Sequence, residues 1–314
     1  MSSGTFIASR VVAGVVTLLV GMTAIFFMVH LIPGDPVLLF LGDNYDAKAY
    51  AAIKAKLGLD QPLWAQYTGY LSGVLSGDWG TSFRTARPVF AEILAQYPYT
   101  VALAISGLAI GTLLGVTSGV TSAVHHNSWV DHVSMFVAVI GVCTPNFWLG
   151  VLLMLGFSFY LGWLPAIGAG SNDIVDTLKH LFLPALALGT RSAALIARMS
   201  RSSMLEVLGQ DYVRTAWAKG LPRRAVVYGH AFRNALIPVV TTIGIDLGVM
   251  LAGTAVIEIV FARPGVGHLL IDAVLARDYP QIQGTLLFFV AIIVLVNTMV
   301  DVVYTFVDPR IELR

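Results

Sequence analysis

The sequence predicts an all-α, polytopic membrane protein: six transmembrane helices, a small helical subdomain on one side of the bilayer and a basic helical loop on the other. Three observations lead there. Of 314 residues, 57% are apolar and 12% charged, roughly half the charged share of a soluble domain. Apolar runs long enough to span a bilayer recur along the chain, separated by segments that hold most of the charge. The charge is also concentrated: the whole chain carries +1, yet Arg198 to Arg233 contains seven basic residues against two acidic ones.

Residues 8–30 form the first run, bounded by Arg10 and His30. A secretory signal has a shorter apolar core of about 7–15 residues and a small-residue cleavage site, so an uncleaved first span is expected. His30-Leu-Ile-Pro-Gly-Asp-Pro36 ends it, since two prolines around Gly-Asp cannot continue a helix. Residues 31–98 mix charged positions (Asp43, Asp46, Lys48, Lys54, Lys56), turn residues (Gly58-Leu-Asp-Gln-Pro62) and aromatics (Trp64, Tyr67, Tyr70, Trp79). That composition predicts an extramembrane subdomain of short helices.

The core of the protein is expected over residues 99–306. Its first span, Thr100 to Ala123, carries Gly107, Gly111, Gly115 and Gly119, which stack on one helix face where a neighbouring helix can approach closely. His125, His126, Asp131 and His132 read as a solvated interfacial turn; they lack the His spacing or Cys partner of a metal site. The next span, Asp131 to Tyr160, contains Thr144-Pro145-Asn146, tolerated inside a bilayer only where the freed backbone faces protein or water. It marks either a kink beside a transport path or a packing kink. Cys143, the single cysteine, excludes an intramolecular disulfide and reads as a buried packing residue. Trp163-Leu-Pro165 sits at interface depth, and a polar loop runs on to Lys179-His180.

Further spans are expected at about Leu181 to Met199, Leu236 to Phe261 and Gly284 to Phe306, the fifth and sixth joined by the loop Ala262 to Gln283 and followed by a tail at 307–314. Arg191, Asp246, Glu258 and Asp301 are ionisable within these runs. A charge near the bilayer centre costs about 2.5 kcal/mol or more, so each should face protein or a wet cavity. Asp246, between Gly244 and Gly248, is the best placed for a polar path; Glu258 and Asp301 lie near span ends and fit an interface equally well. Asn146 and Arg191 join Asp246 and Glu258 as candidate path residues.

Six spans put both termini on one side, together with Arg10, the basic stretch, Arg310 and Arg314, and the bias of short loops makes that side cytoplasmic. In the loop 200–235, Leu205, Leu208, Tyr212 and Ala216 recur at three and four residues, the spacing of one helix face. Gly220 supplies a stop and Pro222 a first turn for the next helix. Such a basic amphipathic stretch suits either a partner's acidic-rimmed groove or an anionic lipid surface.

The chain has no Gly-x4-Gly-Lys-Ser/Thr phosphate loop, no Gly-x-Ser-x-Gly elbow and no His-Glu-x-x-His zinc pair. No basic arm interleaved with aromatics points to nucleic acid. A polytopic protein with a large basic loop and no engine of its own fits a pore driven by a docked partner.

Asp211-Tyr-Val-Arg-Thr-Ala-Trp-Ala-Lys-Gly220 followed by Arg233-Asn-Ala-Leu-Ile-Pro238 resembles the coupling loop of binding-protein-dependent ABC importer permeases. Arg214-Thr-Ala216 stands where that family has Glu-Ala-Ala, and Pro238 follows Gly220 by 18 residues, further than the general pattern. Those departures resemble the peptide and nickel branch. So do His30 to Pro36, Gly58 to Pro62, Gly77-Asp-Trp-Gly80 with Ser82, Arg87-Pro-Val89, Arg263-Pro-Gly-Val-Gly267, Arg277-Asp-Tyr-Pro280 and Asp308-Pro-Arg310. The resemblance runs end to end and is nearest to the B-type permeases of dipeptide and oligopeptide systems.

It implies the type I ABC importer permease fold and a heterodimer with a second, homologous permease. It also implies two cytoplasmic ATPase subunits carrying ATP and Mg, an extracytoplasmic solute-binding protein, and no cofactor or metal on this chain itself. Asp211, Tyr212, Arg214, Thr215, Ala216, Lys219 and Gly220 would couple to an ATPase; Arg263, Asp278 and Tyr279 would face the binding protein or gate the outer mouth. The substrate implied is a di- or oligopeptide, with nickel or a nickel chelate as the alternative. A self-sufficient channel or secondary transporter is the reading from a different class.

Overall fold

A computed structural model describes residues 3–31, 37–38, 46–56, 58–171 and 173–307. Most of His30 to Pro36, together with Asp43 and Asp308 to Arg310, lies outside them, as does the side chain of Asp301.

The described residues form twelve helical elements. They are α1 (Ser3–His30), α2 (Ala47–Lys56), α3 (Leu63–Ser76), α4 (Val89–Val124), α5 (Trp129–Cys143) and α6 (Asn146–Leu153, continued by a π-helical stretch Met154–Tyr160). After these come α7 (Ile174–Leu208), α8 (Asp211–Ala218), α9 (Phe232–Gly253, entered through a π-helical turn Ala225–Ala231), α10 (Ala255–Val260), α11 (Val266–Leu275) and α12 (Tyr279–Val307). Five are long and apolar enough to cross a membrane, and α5 with α6 makes a sixth crossing if the bent pair is one span.

The long helices outrun the apolar windows that announce them. α4 begins at Val89 rather than Thr100 and carries Pro98 inside it, and α7 begins at Ile174 with Pro184 inside it. A proline deletes one intrahelical hydrogen bond, which a buried helix absorbs where neighbours or side chains hold the freed groups. The loop expected up to His180 is therefore already helical, and residues 89–98 belong to α4 rather than to the subdomain. Two further spans are interrupted, one at the Thr144-Pro145 kink that the sequence marks and one within the run expected to be continuous from Leu236 to Phe261. Thr144 takes an extended conformation and Pro145 caps α6, bending the pair by 104°. The fifth run stops at Gly253, and α10 starts after Thr254.

The glycine series behaves as the spacing predicts. Among the described residues, α4 and α7 form the most extensive helix contact. A Cβ on Gly111 would lie 2.7 Å from the Gly189 carbonyl, and one on Gly115 2.7 Å from that of Ala193. Gly119 meets the Ala197 carbonyl the same way, and Gly189 on α7 meets that of Gly107. Four helical turns thus approach at backbone distance, where dispersion replaces a hydrophobic driving force that lipid cannot supply. α9 and α5 pack on α7, and α12 joins α9 to α1, with Gly14 and Gly21 set against Val294 and Val290.

Polar contacts close both ends of the bundle. The segment after α6 is tied to α10 by Gly168 N–H donating to the Phe261 carbonyl at 2.9 Å. Asp131, expected in a solvated turn, is instead 1% exposed in the first turn of α5, while His125 and His132 stay exposed. Cys143 is exposed at the α5–α6 break, not buried.

Candidate functional site

α8 is the polar helix of the basic loop. Asp211 occupies its first turn, where a carboxylate favours the helix dipole. Val213 is fully buried and Ala216 is 6% exposed; both pack with Val226 and with Val207, Leu208 and Leu221. The buried face is therefore Val213 and Ala216. The expected series Leu205, Leu208, Tyr212, Ala216 is split between two helices, because α7 ends at Leu208 and Gly209-Gln210 turns the chain before α8 starts. Tyr212 is 41% exposed and accepts a 2.7 Å hydrogen bond from Asn234 Nδ2, which ties α8 to the first turn of α9.

Gly220 has φ +74°, with its N–H on the Trp217 carbonyl at 2.9 Å. A Cβ there would meet nothing within 4 Å, so glycine is required by the left-handed backbone and not by space. Arg214, Thr215, Trp217 and Lys219 form the exposed side. Arg214 and Asp211 make a 3.6 Å surface pair of little energetic weight. Trp217, 44% exposed, is the member of this face that the three-and-four spacing passes over; its signal was an aromatic inside an otherwise basic, exposed turn.

Two arginines fix the loop to the α4–α5 turn. Arg201 on α7 holds Asp131 through Nε and Nη2 at 2.7 Å each, and Ser122 on α4 donates to the same carboxylate. Arg223, beyond the Gly220 turn, donates to the Val124 carbonyl at 2.9 Å. Neither anchor is readable from spacing, since Asp131 and Arg201 lie 70 residues apart.

The four candidate path residues do not converge; among the described residues no hydrogen bond or ion pair joins any two of them. Asn146 is half-buried at the start of α6 and Arg191 is exposed on α7. Asp246 is 6% exposed and accepts from Ser192 on α7. Glu258 is fully buried and accepts from Thr100 Oγ1 at 2.7 Å, Thr254 Oγ1 at 2.8 Å and the His268 backbone N–H at 2.9 Å. Thr254, at the break before α10, is itself one of the donors, and the carboxylate joins α4 through Thr100 and α11 through His268.

The Arg263-Pro-Gly-Val-Gly267 segment wraps that acid. A Cβ on Gly265 would collide with the Glu258 carboxylate, and one on Gly267 with the backbone of Ala255. Arg263 is 1% exposed, its N–H on the Glu258 carbonyl at 2.8 Å. Burial lowers the pKa of its guanidinium while the charges of Glu258 and Tyr99 oppose that shift.

Asp278, 3% exposed, accepts from Ser82 Oγ at 2.5 Å, Arg84 N–H at 3.2 Å and Gln281 N–H at 3.3 Å. It clasps the residues before α4 to the start of α12, whose first residue is the half-buried Tyr279. The Gly77-Asp-Trp-Gly80 motif builds the other half of this clasp. Gly77 and Gly80 both take positive φ, and Trp79 packs on Phe90 of α4 and Phe288 of α12.

Residues 107–313 match the family described as binding-protein-dependent transport system inner membrane component, and residues 4–104 match the corresponding N-terminal membrane-component family. Among curated proteins, the dipeptide transport system permease protein DppB of Alkalihalophilus pseudofirmus is 42% identical, covering 95% of this chain and 96% of its own length. The glutathione transport system permease protein GsiC is 44% identical in Salmonella choleraesuis and 41% in Escherichia coli K12, in both covering 98% of this chain and 99% of its own length.

Among solved structures, the inward-facing MetNI methionine ABC transporter gives a TM-score of 0.55 at 17% identity over 70% of this chain and 97% of that one. An amino acid ABC transporter solved with histidines gives 0.50 at 16% identity, over 70% and 94%. At those identities the likeness is one of fold, the permease fold of type I ABC importers. On the match over most of its length, the chain belongs to the binding-protein-dependent transport system inner membrane components: it is a permease subunit of an ABC importer.

Proposed function

We propose that this permease forms half of the translocation path of an ATP-driven importer for short peptides, beside a second homologous permease. Two cytoplasmic ATPase subunits carrying ATP and Mg would drive it, and an extracytoplasmic solute-binding protein would supply it. The observation that carries this reading is α8: a short helix anchored by Val213 and Ala216 and tied by Tyr212 to α9, with an exposed basic and aromatic outer face. The relatives' substrates, a dipeptide and glutathione, supply the peptide class.

On this reading the ATPase groove takes Tyr212, Arg214, Thr215, Trp217 and Lys219. ATP-driven closure of the ATPases moves α8; its buried face carries the π-helical turn and α9 with it. Arg201 and Arg223 pass the displacement to the α4–α5 turn. Hydrolysis resets the pair. Both termini and α8 lie in the cytoplasm by the charge bias of short loops. The Asp278 clasp and the 262–283 segment then lie outside, where the binding protein docks and the outer mouth closes.

Uptake of a labelled dipeptide and of nickel in a strain lacking this chain, with and without its re-expression, tests the reading. Restored dipeptide uptake supports it; restored nickel uptake alone overturns the substrate class. Flux through the purified chain alone in liposomes, without ATPase subunits, would overturn the importer mechanism.

A further inference from the structure

α7 is the most buried of the five long spans, and from Gly189 onward three neighbours divide its surface. α4 meets Ala193 and Ala197, α5 meets Thr190 and Ala194, and Ser192 reaches Asp246 on α9. The sector left between α5 and α9 carries Arg191, Leu195, Arg198 and Ser202, three and four residues apart and therefore on one face. Both arginines and Ser202 are exposed. Among the described residues, neither arginine has an ion-pair partner.

Toward the other end of α7 the same face is shut. Pro184, Ala187 and Leu188, which continue the stripe at helical spacing, are buried. The 104° bend at Thr144-Pro145 sends α6 along this half of α7 to α10, where a Cβ on Gly150 would lie 3.0 Å from the Phe261 ring. Ala187 and Leu188 share one apolar cluster with Phe157, Ile257 and Phe261, so α6 and α10 roof this half.

Depth decides what the open half faces. Arg191 lies near the middle of the apolar run Leu181 to Met199, about 12–15 Å from its ends at about 1.5 Å per residue, too deep for its side chain to snorkel clear. The register agrees: a Cβ on Gly111, midway along the apolar run of α4, would lie 2.8 Å from Ser192 Cβ. A guanidinium at that depth is costly against lipid and is kept where it faces protein or a wet cavity. The stripe runs from Arg191 past Arg198 and Ser202 to the polar end of α7 that leads into α8, a continuous route for water.

We propose that Arg191, Leu195, Arg198 and Ser202 form one wall of a water-filled vestibule, closed beyond Arg191 by α6 and α10 and open toward α8, in which the two arginines hand on the carboxylate terminus of a peptide in transit. They stand about 10 Å apart along the axis, seven residues at about 1.5 Å each, and a guanidinium is suited to a carboxylate. The carboxylate role rests on the peptide reading above; the wall follows from the geometry of α7 alone.

The test uses the complete importer in proteoliposomes with its ATPase subunits outward, the binding protein and labelled dialanine enclosed, and release read on addition of ATP. The chain carries Cys143→Ser, which removes its single thiol, with Arg191→Cys, Arg198→Cys or Ala187→Cys added in turn. Before ATP, the impermeant cation trimethylammonium-ethyl methanethiosulfonate should label the first two and spare Ala187→Cys, as read by mass spectrometry of this chain. Arg191→Cys should release dialanine at least about tenfold more slowly, the loss of a charged hydrogen bond. The cationic reagent should restore most of that loss, and sulfonatoethyl methanethiosulfonate, its anionic counterpart, should not. The Cys143→Ser parent, treated alike, sets the baseline for both reagents.

Labelling of neither arginine position, with dialanine release by the wild type intact, overturns the vestibule and leaves the peptide reading standing; it is the result expected if the stripe packs on the second permease. Labelling with no dependence of release on the sign of the attached charge overturns the carboxylate role. A wild-type importer that does not release dialanine overturns the peptide reading and the carboxylate role together.

Discussion

Arg201 grips Asp131 with two 2.7 Å contacts, and the two partners differ in their access to water: the arginine side chain is 26% exposed and the aspartate 2%. Removing one partner therefore differs from removing the other. Without Asp131, Arg201 can turn to solvent. Without Arg201, a buried carboxylate keeps only Ser122 and the Asn127 N–H.

Arg201→Met should accordingly destabilise the chain by about 3–5 kcal/mol, the range for an orphaned buried charge. Asp131→Asn, which keeps an oxygen for Ser122, should cost about 1–3 kcal/mol. Thermal unfolding of the detergent-purified chain checks the order; equal losses, or a larger loss for Asp131→Asn, would contradict the burial asymmetry.

The α4–α7 interface gives a sharper contrast. Gly115→Ala places a Cβ 2.7 Å from both the Ala193 carbonyl and Ile196 Cβ, and overpacking of this kind costs about 1–3 kcal/mol. Gly156→Ala, in the π-helical stretch after α6 with nothing within 4 Å of its Cβ, should be neutral or slightly stabilising. Yield and unfolding temperature of the two variants are the measurement. Similar behaviour would mean that α4 and α7 do not meet at backbone distance.

That interface was legible in the sequence because its cause is local: four glycines at helical spacing mark one face whatever the rest of the chain does. The polar loop was legible for a similar reason, as charge has few places to go in an apolar chain. What spacing could not deliver is contact between distant residues. The series Leu205, Leu208, Tyr212, Ala216 fits one helix until Gly209-Gln210 is seen to end α7, so periodicity alone chose Tyr212 over Val213 for the buried face. Glu258, near the end of a run read as continuous, fitted an interface as well as a path. Its actual partners, Thr100 on α4 and the His268 N–H on α11, lie 158 and 10 residues away, and no spacing pattern links the first to it.

The Glu258 pocket yields a prediction about a glycine rather than the acid. Gly265 has extended backbone that any residue adopts, but a Cβ would occupy the space of the Glu258 carboxylate. Gly265→Ala should therefore displace the acid from Thr100, Thr254 and the His268 N–H together, costing at least as much stability as Glu258→Gln. Combining the two changes should cost less than their sum, since both act on one network. Strict additivity in a double-mutant cycle would place Gly265 outside that network.

The last prediction concerns α8, where fold and work should separate. Gly220→Val puts a β-branched residue at φ +74°, a strain of about 1–2 kcal/mol or more, and shifts the turn that sets the end of α8. Arg214→Glu reverses a charge on the exposed face; the 3.6 Å pair it breaks is a solvated one, so stability should barely move. Both variants should insert and fold; if α8 docks on the ATPase as proposed, the assembled importer should hydrolyse ATP with little or no uptake, because that docking would lose its register. Val213→Asp, which buries a charge in the face that carries α9, should instead fail at folding. ATP turnover and transport measured side by side on reconstituted complexes separate these outcomes. Normal uptake per ATP in both Gly220→Val and Arg214→Glu would remove α8 from the drive train.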